Sequence, residues 1–319
     1  MRSSTKKWLF TSLKVALVLL LAWGIHRSVQ SAFTELEREK WSASELRPGW
    51  LVLSGVLYLL GLLPMGIYWC AILRVMGQAP RLGETLRAYF IGHLGKYVPG
   101  KALVIILRTS LIRSHRVDTS IAAVSIFYET LTMMAVGAFW AGAILAVYYR
   151  HQTRLVLAAV GMMVAAGLPT LPPIFRRVVG LLRVGKSNPA VAEQFGRLKS
   201  TTLAGGWLAA SIGWLLLGLS QWATLVAGGY TSVDALGEDL AVCVAATALA
   251  VVAGFASLIP GGAVVREAVL FELLAPRYGK APALVSAILS RLVWLVAELI
   301  ISGILYAVSP RRRTDVPPN

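Results

Sequence analysis

Residues 51–73 read LVLSGVLYLLGLLPMGIYWCAIL, and no Asp, Glu, Lys or Arg interrupts them. Three further stretches, Leu155–Phe175, Thr201–Val233 and Leu240–Val265, are equally free of charged side chains. A helix needs about 20 such residues to cross a bilayer core of about 30 Å. Because the backbone must satisfy its own hydrogen bonds in lipid, these stretches are predicted to be helices. Strands of a membrane barrel would be shorter and would alternate in polarity.

The composition agrees with a chain whose surface largely faces lipid. Of its 319 residues, 57% are hydrophobic and only 14% are charged, whereas a soluble domain carries roughly 25% charged residues. The net charge of +16 does not indicate nucleic-acid binding, because the basic residues lie between the apolar stretches. Affinity for anionic lipid headgroups is the expected consequence. Cys70 and Cys243 lie far apart within apolar stretches, so we expect buried thiols without a metal or redox role.

The charge-free stretches and their neighbours predict seven spans, near residues 9–28, 50–73, 118–149, 154–173, 201–229, 239–259 and 281–309. We expect the first to be a retained span of a bacterial-type inner membrane, with a cleaved signal peptide as the alternative. Basic residues place both termini and the predicted loop 174–200 in the cytoplasm. Seven spans cannot leave both termini on one side, so Ala263–Ala275 is expected to cross wholly or in part.

The segment 81–116 differs from the predicted spans, since it carries seven basic residues and a single acid, Glu84. Apolar residues are interleaved among the charges, and Pro99-Gly100 interrupts the middle. This pattern predicts a helix, a turn and a second short helix that re-enters the membrane from the cytoplasmic face. An amphipathic helix lying on the membrane surface is the alternative.

A short internal repeat relates the two parts of the chain. Val98-Pro99-Gly100-Lys101-Ala102 recurs as Ile259-Pro260-Gly261-Gly262-Ala263, 161 positions later (99 to 260). A span bearing a charge follows each break, with Glu129 after the first and Arg291 after the second. We therefore predict an all-α, polytopic helical membrane protein that forms a single transmembrane domain over 1–319. It has seven to eight spans and a duplicated core of two halves, 81–149 and 239–309, each with a Pro-Gly-broken re-entrant segment.

Charged residues within predicted spans cost about 2.5–3.5 kcal/mol each at the bilayer centre. We expect five of them to line one cavity between the halves: Glu129, Arg266, Glu267, Arg291 and Glu298. The alternative is that they form structural ion pairs between packed helices.

Several other residues have simpler explanations. His93 is expected to be a polar residue near the headgroups, because no neighbouring His, Cys or acid completes a metal site. Trp69, Trp207, Trp214 and Trp222 are expected to be interfacial anchors.

Two motifs carry a resemblance to a known family. Gly95-Lys96-Tyr97-Val98-Pro99-Gly100-Lys101, with Arg108 and Glu129 after it, resembles the transmembrane region of the lysylphosphatidylglycerol synthase family. So does Ile259-Pro260-Gly261-Gly262 leading into Val265-Arg266-Glu267-Ala268, with Arg291 downstream, and the resemblance covers about residues 10–309. Gly262-Ala263-Val264-Val265 departs from the Gly-rich sequence common in the family, which leaves the cavity lining open.

The resemblance implies a duplicated helical core with re-entrant segments that moves or holds a lipid, as in the flippase domain of the multiple peptide resistance factor. It does not imply lysyl transfer, because a separate soluble domain performs that reaction in the full-length synthase.

The leading hypothesis is a flippase or transporter for lipids with anionic or polyprenyl-phosphate headgroups. Ammonium and guanidinium groups suit phosphate. The residues expected to bind the substrate are those at the two breaks and the buried charges: Lys96, Pro99, Gly100, Lys101, Arg108, Glu129, Pro260, Gly261, Gly262, Arg266, Glu267, Arg291 and Glu298. No G-x-x-x-x-G-K-[ST] motif is present to make ATP the direct driver. No cofactor, metal site or catalytic residue is predicted.

Two alternative functions stay open. A polyprenyl-phosphate-dependent membrane glycosyltransferase would need acidic catalytic residues, which Glu35, Glu37, Glu39 and Glu45 could supply. The other alternative is a non-catalytic partner of a lipid-modifying enzyme. The expected partners are membrane lipids and not nucleic acid, and both a homo-oligomer and an association with a lipid-modifying enzyme stay open.

Overall fold

Regular structure in this computed structural model is helical. The structure describes residues 46–98, 102–114, 116–148, 153–181, 196–257 and 264–308, and also the isolated positions 19, 23, 26, 27, 30, 34, 194, 259 and 262. Over these residues the backbone forms ten α-helices and no strand beyond one isolated bridge between Ser114 and Val117. The predicted all-α class is therefore confirmed.

The helices, numbered along this described part of the chain, are α1 (Pro48–Val75), α2 (Leu82–His93), α3 (Ala102–Ile112), α4 (Thr119–Tyr148), α5 (Thr153–Gly167), α6 (Pro172–Leu181), α7 (Ser200–Ala227), α8 (Leu236–Ala256), α9 (Val265–Tyr278) and α10 (Lys280–Ala307). Short 3-10 turns occupy Leu94–Tyr97, Leu168–Thr170 and Val233–Ala235.

Five of these helices, α1, α4, α7, α8 (with its preceding 3-10 turn) and α10, are long and apolar enough to cross a membrane. They match predicted spans closely; the span predicted at 118–149, for example, is the helix Thr119–Tyr148. The predicted span at 9–28 lies almost wholly outside the described residues. The span predicted at 154–173 is divided into α5, a 3-10 turn and the start of α6, and α6 continues into the predicted loop 174–200. The count of seven or eight crossings therefore stays a prediction.

Helices α1 and α7 pack along each other at the centre of the bundle. Gly61 and Gly213 permit this, because a Cβ added to Gly213 would lie 2.8 Å from the carbonyl oxygen of Gly61. Small residues at such contacts let helix backbones approach closely in membranes. Helices α4 and α10 contact both members of this pair, and α8 contacts α7 and α4. The five long helices thus form one packed unit.

Three of the tryptophans lie inside this unit. Trp69, Trp214 and Trp222 are buried, so their prediction as interfacial anchors was wrong. The indole N–H of Trp69 donates to the hydroxyl of Ser125 at 2.8 Å, and that of Trp214 donates to the Met133 carbonyl at 3.0 Å. These two partners on α4 satisfy the indole N–H groups of Trp69 and Trp214 within the bundle.

A first helix–break–helix segment packs against the bundle where sequence predicts one. Helix α2, the turn Leu94–Tyr97 and α3 contact one another, and α2 also contacts α1 and α10. A Cβ on Gly95 would lie 2.7 Å from the backbone nitrogen of Val104, so Gly95 lets the turn lie directly on α3.

A second segment consists of α8, a break and α9, which packs between α8 and α10. Gly262 and Val264 lead into α9 with φ of 66° and 68°. A β-branched residue rarely adopts a positive φ, so the backbone at Val264 is strained. Helix α9 has 14 residues, about 21 Å of helix, which is shorter than the bilayer core. This helix alone does not span the core, and the crossing of Ala263–Ala275, wholly or in part, stays a prediction.

Candidate functional site

A cavity of about 460 Å³ lies between the two helix–break–helix segments. Residues adjoining both breaks contribute to its wall: Lys96 and Ala102 beside the first, and Ile259 and Gly262 beside the second. Helices α1, α4, α7 and α10 supply the remaining wall, which is mostly aromatic and aliphatic. Described residues at or beside both breaks therefore line one shared chamber within the bundle.

One edge of the cavity is open and apolar. Phe127 on α4 and Ile259 at the second break line the cavity, yet their side chains are 52% and 41% exposed. These two exposed apolar side chains therefore lie on the rim of an opening in the cavity wall.

Lys96 joins the first break to α10 through an ion pair with Glu298. The hydroxyl of Tyr58 donates to the same carboxylate and accepts a hydrogen bond from Lys96 Nζ at 3.2 Å. His93 Nε2 lies 3.7 Å from Glu298 Oε1. Because Lys96 follows α2 and Glu298 lies on α10, this group couples the two predicted halves.

A second ion pair lies within the first predicted half. Arg108 Nη1 donates to Glu129 Oε2 at 2.9 Å, and both side chains are buried. The guanidinium also lies over the ring of Tyr89, 4.0 Å from its centroid. The Tyr89 hydroxyl donates to Glu129 Oε1 at 3.4 Å. A buried carboxylate with these donors offsets the cost of burying Arg108.

Arg266 faces the cavity from the start of α9 in a different way. Its guanidinium lies 4.7 Å from the ring centroid of Trp294, a cation–π contact. Its Nε is buried without a hydrogen-bond partner, and among the described residues it forms no ion pair within 4 Å. Arg266 is thus the lining cation whose charge no described carboxylate neutralises.

Glu267 and Arg291 lie behind this wall. Arg291 Nη1 is 3.2 Å from Glu267 Oε1, and both side chains are buried. Neither belongs to the cavity lining. This is the structural ion pair that the alternative interpretation of the buried charges describes.

The structure therefore brings together part of the predicted site. Lys96, Arg108, Glu129, Gly262 and Arg266 line the cavity, and Glu298 adjoins it through Lys96. Five predicted site residues lie outside the described residues: Pro99, Gly100, Lys101, Pro260 and Gly261.

Sequence reasoning missed His93 and the tyrosines and tryptophans of the lining. His93 lines the cavity, although the sequence analysis did not assign it to the site; its position near the headgroups stays a prediction. The sequence could have indicated this, because His93 lies three residues before Lys96, about one helical turn away from a predicted site residue. The aromatic residues Tyr58, Tyr89, Trp214 and Trp294 also line the cavity, and no sequence signal separates them from ordinary core.

The charge balance shows what the site can bind. Three cations, Lys96, Arg108 and Arg266, face two carboxylates, Glu129 and Glu298. Among these described groups one positive charge remains, and it lies at Arg266. A chamber with one uncompensated guanidinium is suited to an anion such as phosphate.

Comparison with known proteins places the chain in a family. No curated protein matches it. The family model of the lysylphosphatidylglycerol synthase TM region matches residues 11–302, which include every helix that forms the cavity. The resemblance carried by the two Pro-Gly motifs is thereby confirmed, and the chain belongs to the lysylphosphatidylglycerol synthase transmembrane-region family.

Proposed function

We propose that this protein is a flippase or transporter for anionic or polyprenyl-phosphate lipids of a bacterial inner membrane. The observation that carries the proposal is a chamber inside a bundle of span-forming helices that retains one unneutralised cation, Arg266. Moving a lipid between leaflets requires its charged headgroup to pass the hydrocarbon layer. A protein cation at the crossing point lowers the cost of removing that headgroup from water.

The open rim supports a route for the lipid. The headgroup enters the chamber past Phe127 and Ile259, while the acyl chains remain in the surrounding bilayer. A chamber of about 460 Å³ falls within the range of about 300–1,000 Å³ that suits small ligands. It therefore accommodates a headgroup but not a whole lipid.

The ion pair between Lys96 and Glu298 supports alternating access. It connects the first break to α10, whereas Arg108–Glu129 and Arg291–Glu267 lie within one half each. Separation of the halves about the substrate must break the Lys96–Glu298 pair and can leave the other two intact. In duplicated transporters, movement of one half against the other exchanges access between the two membrane faces.

A reconstitution assay tests this proposal. The assay would follow the transfer of fluorescent anionic phospholipids and polyprenyl phosphates between the leaflets of proteoliposomes, with a membrane-impermeant quencher as the reporter. We expect transfer of lipid between leaflets in the wild type and its loss in Met133→Trp, which fills the chamber from α4. Val147→Trp, on the exposed face of the same helix, is the matched control and should transfer lipid normally.

Two outcomes would contradict the proposal. One is equal transfer by the wild type, the Met133→Trp variant and protein-free vesicles. The other is consumption of a sugar donor without lipid transfer, which would favour the glycosyltransferase. The acidic stretch that the enzyme would need, 35–45, lies outside the described residues.

A further inference from the structure

Arg108 and Arg266 occupy corresponding places in the two predicted halves. Each lies on the short helix after a break, and its side chain packs closely against a glycine on the helix before that break. A Cβ on Gly92 would overlap Cγ of Arg108, and a Cβ on Gly254 would lie 2.6 Å from Cγ of Arg266. Each guanidinium then lies over an aromatic ring, at 4.0 Å for Tyr89 and 4.7 Å for Trp294.

The two arginines differ in what faces them. Arg108 meets Glu129 on α4. On α10, Ser290 lies one helical turn before Trp294, which the Arg266 guanidinium contacts. The hydroxyl of Ser290 donates to the Ala287 carbonyl of its own helix at 3.0 Å. Among the described residues, Arg266 therefore lacks a carboxylate such as the one that neutralises Arg108.

From this difference we infer that Arg266 is the phosphate-binding residue of the chamber and that the site selects headgroups with a single negative charge, such as phosphodiesters. This inference rests on the proposed function and narrows its substrate class. One phosphodiester charge neutralises the one free guanidinium. The second charge of a phosphomonoester would meet no free cation among the described lining residues, because Glu129 and Glu298 occupy Arg108 and Lys96.

The same logic makes Glu129 a specificity-determining residue. Removing its charge would free Arg108 and give the chamber a second cation. Conversely, a carboxylate at position 290 would neutralise Arg266. Residues 290 and 294 lie one helical turn apart on the same face of α10, and Trp294 already contacts the Arg266 guanidinium.

The test measures binding of two short-chain probes to the full chain in phosphatidylcholine nanodiscs at pH 8. The probes are dioctanoyl phosphatidylglycerol, a phosphodiester, and dioctanoyl phosphatidic acid, a phosphomonoester that carries close to two charges at this pH. We expect the wild type to prefer the phosphodiester. Arg266→Ala should weaken phosphodiester binding at least about tenfold. Arg74→Ala, an exposed arginine of α1, should leave it unchanged.

Two further variants test the selection itself. Glu129→Gln should shift the affinity ratio about tenfold toward the phosphomonoester. Ser290→Glu should lose phosphodiester binding although it retains Arg266. Melting temperatures identify any variant that fails to fold, and either variant alone is sufficient for the test.

The outcomes separate this inference from the proposed function. Wild-type phosphodiester affinity in Arg266→Ala overturns it. An unchanged affinity ratio in folded Glu129→Gln, or retained phosphodiester binding in folded Ser290→Glu, does so as well. If the wild type transfers lipid but binds both probes equally, lipid transport stands and the selection for single charge fails. If it neither binds nor transfers any lipid, the proposed function itself fails.

Discussion

The pair between Lys96 and Glu298 gives the most demanding prediction, because its two members differ in burial. The Glu298 side chain is 1% exposed, whereas that of Lys96 is 20% exposed at the cavity wall. Lys96→Met removes the ammonium but keeps most of the side-chain volume. It leaves a deeply buried carboxylate with Tyr58 as its nearest donor, since His93 lies 3.7 Å away. Loss of one partner from such a pair costs about 3–5 kcal/mol.

Glu298→Gln leaves the opposite group behind. Lys96 still donates to the Tyr58 hydroxyl at 3.2 Å and borders the cavity, where water can solvate it. The cost should therefore be about 1–3 kcal/mol, less than for Lys96→Met. In the double variant no charge is left unpaired, so its destabilisation should be well below the sum of the single values.

Thermal unfolding of the nanodisc-embedded protein measures these costs. At about 2–4 °C per kcal/mol, Lys96→Met should lower Tm by about 6–20 °C and Glu298→Gln by about 2–12 °C, always less than Lys96→Met. Lys280→Met, at an exposed position of α10, is the control and should leave Tm unchanged. Additive effects in the double variant, or a larger loss in Glu298→Gln than in Lys96→Met, would refute the reasoning.

Two glycine substitutions with matched controls on the same helices extend the predictions. Gly92→Ala should lower the free energy of unfolding by about 1–3 kcal/mol, and with it Tm, because the new methyl group displaces Arg108. The same displacement should reduce lipid transfer. Gly83→Ala, on the same helix, places its methyl group in open space and should change neither Tm nor transfer. Gly213→Ala should lower the free energy of unfolding by a similar amount, because its methyl group meets a backbone carbonyl of α1. Gly205→Ala, also on α7, should leave Tm unchanged or raise it slightly. Thermal unfolding and the transfer assay measure both pairs, and a normal Tm in Gly213→Ala would contradict the close packing of α1 on α7.

The long helices could be predicted from sequence because their cause is local. A charge-free run of more than 20 residues has few alternatives in a membrane, so 50–73 and 201–229 correspond within two residues to Pro48–Val75 and Ser200–Ala227. The helix–break–helix pattern of 81–116 was also local, since Pro99-Gly100 interrupts the apolar sequence. These predictions needed no knowledge of how the helices pack.

The pairing of buried charges could not be predicted, because it depends on contacts between distant parts of the chain. Arg291 and Glu298 lie two turns apart on one helix, which suggested a shared face and a shared chamber. Two turns are about 10.5 Å along the axis, so the two side chains meet different neighbours. Arg291 pairs with Glu267 on α9, and Glu298 pairs with Lys96, 202 residues earlier in the chain. Only the packing of α10 decides which residue faces the cavity.

The charge pattern of the two halves offers a physical reason for the chamber's polarity. In the first half the short helix carries the arginine of the ion pair and the long helix carries the acid, as Arg108–Glu129. In the second half the order is reversed, as Glu267–Arg291. The acid of the first pair therefore neutralises an arginine of the cavity lining, whereas the acid of the second pair neutralises Arg291, which lies behind the wall. Arg266 is left without a described carboxylate, so the chamber keeps one lining cation for an anion.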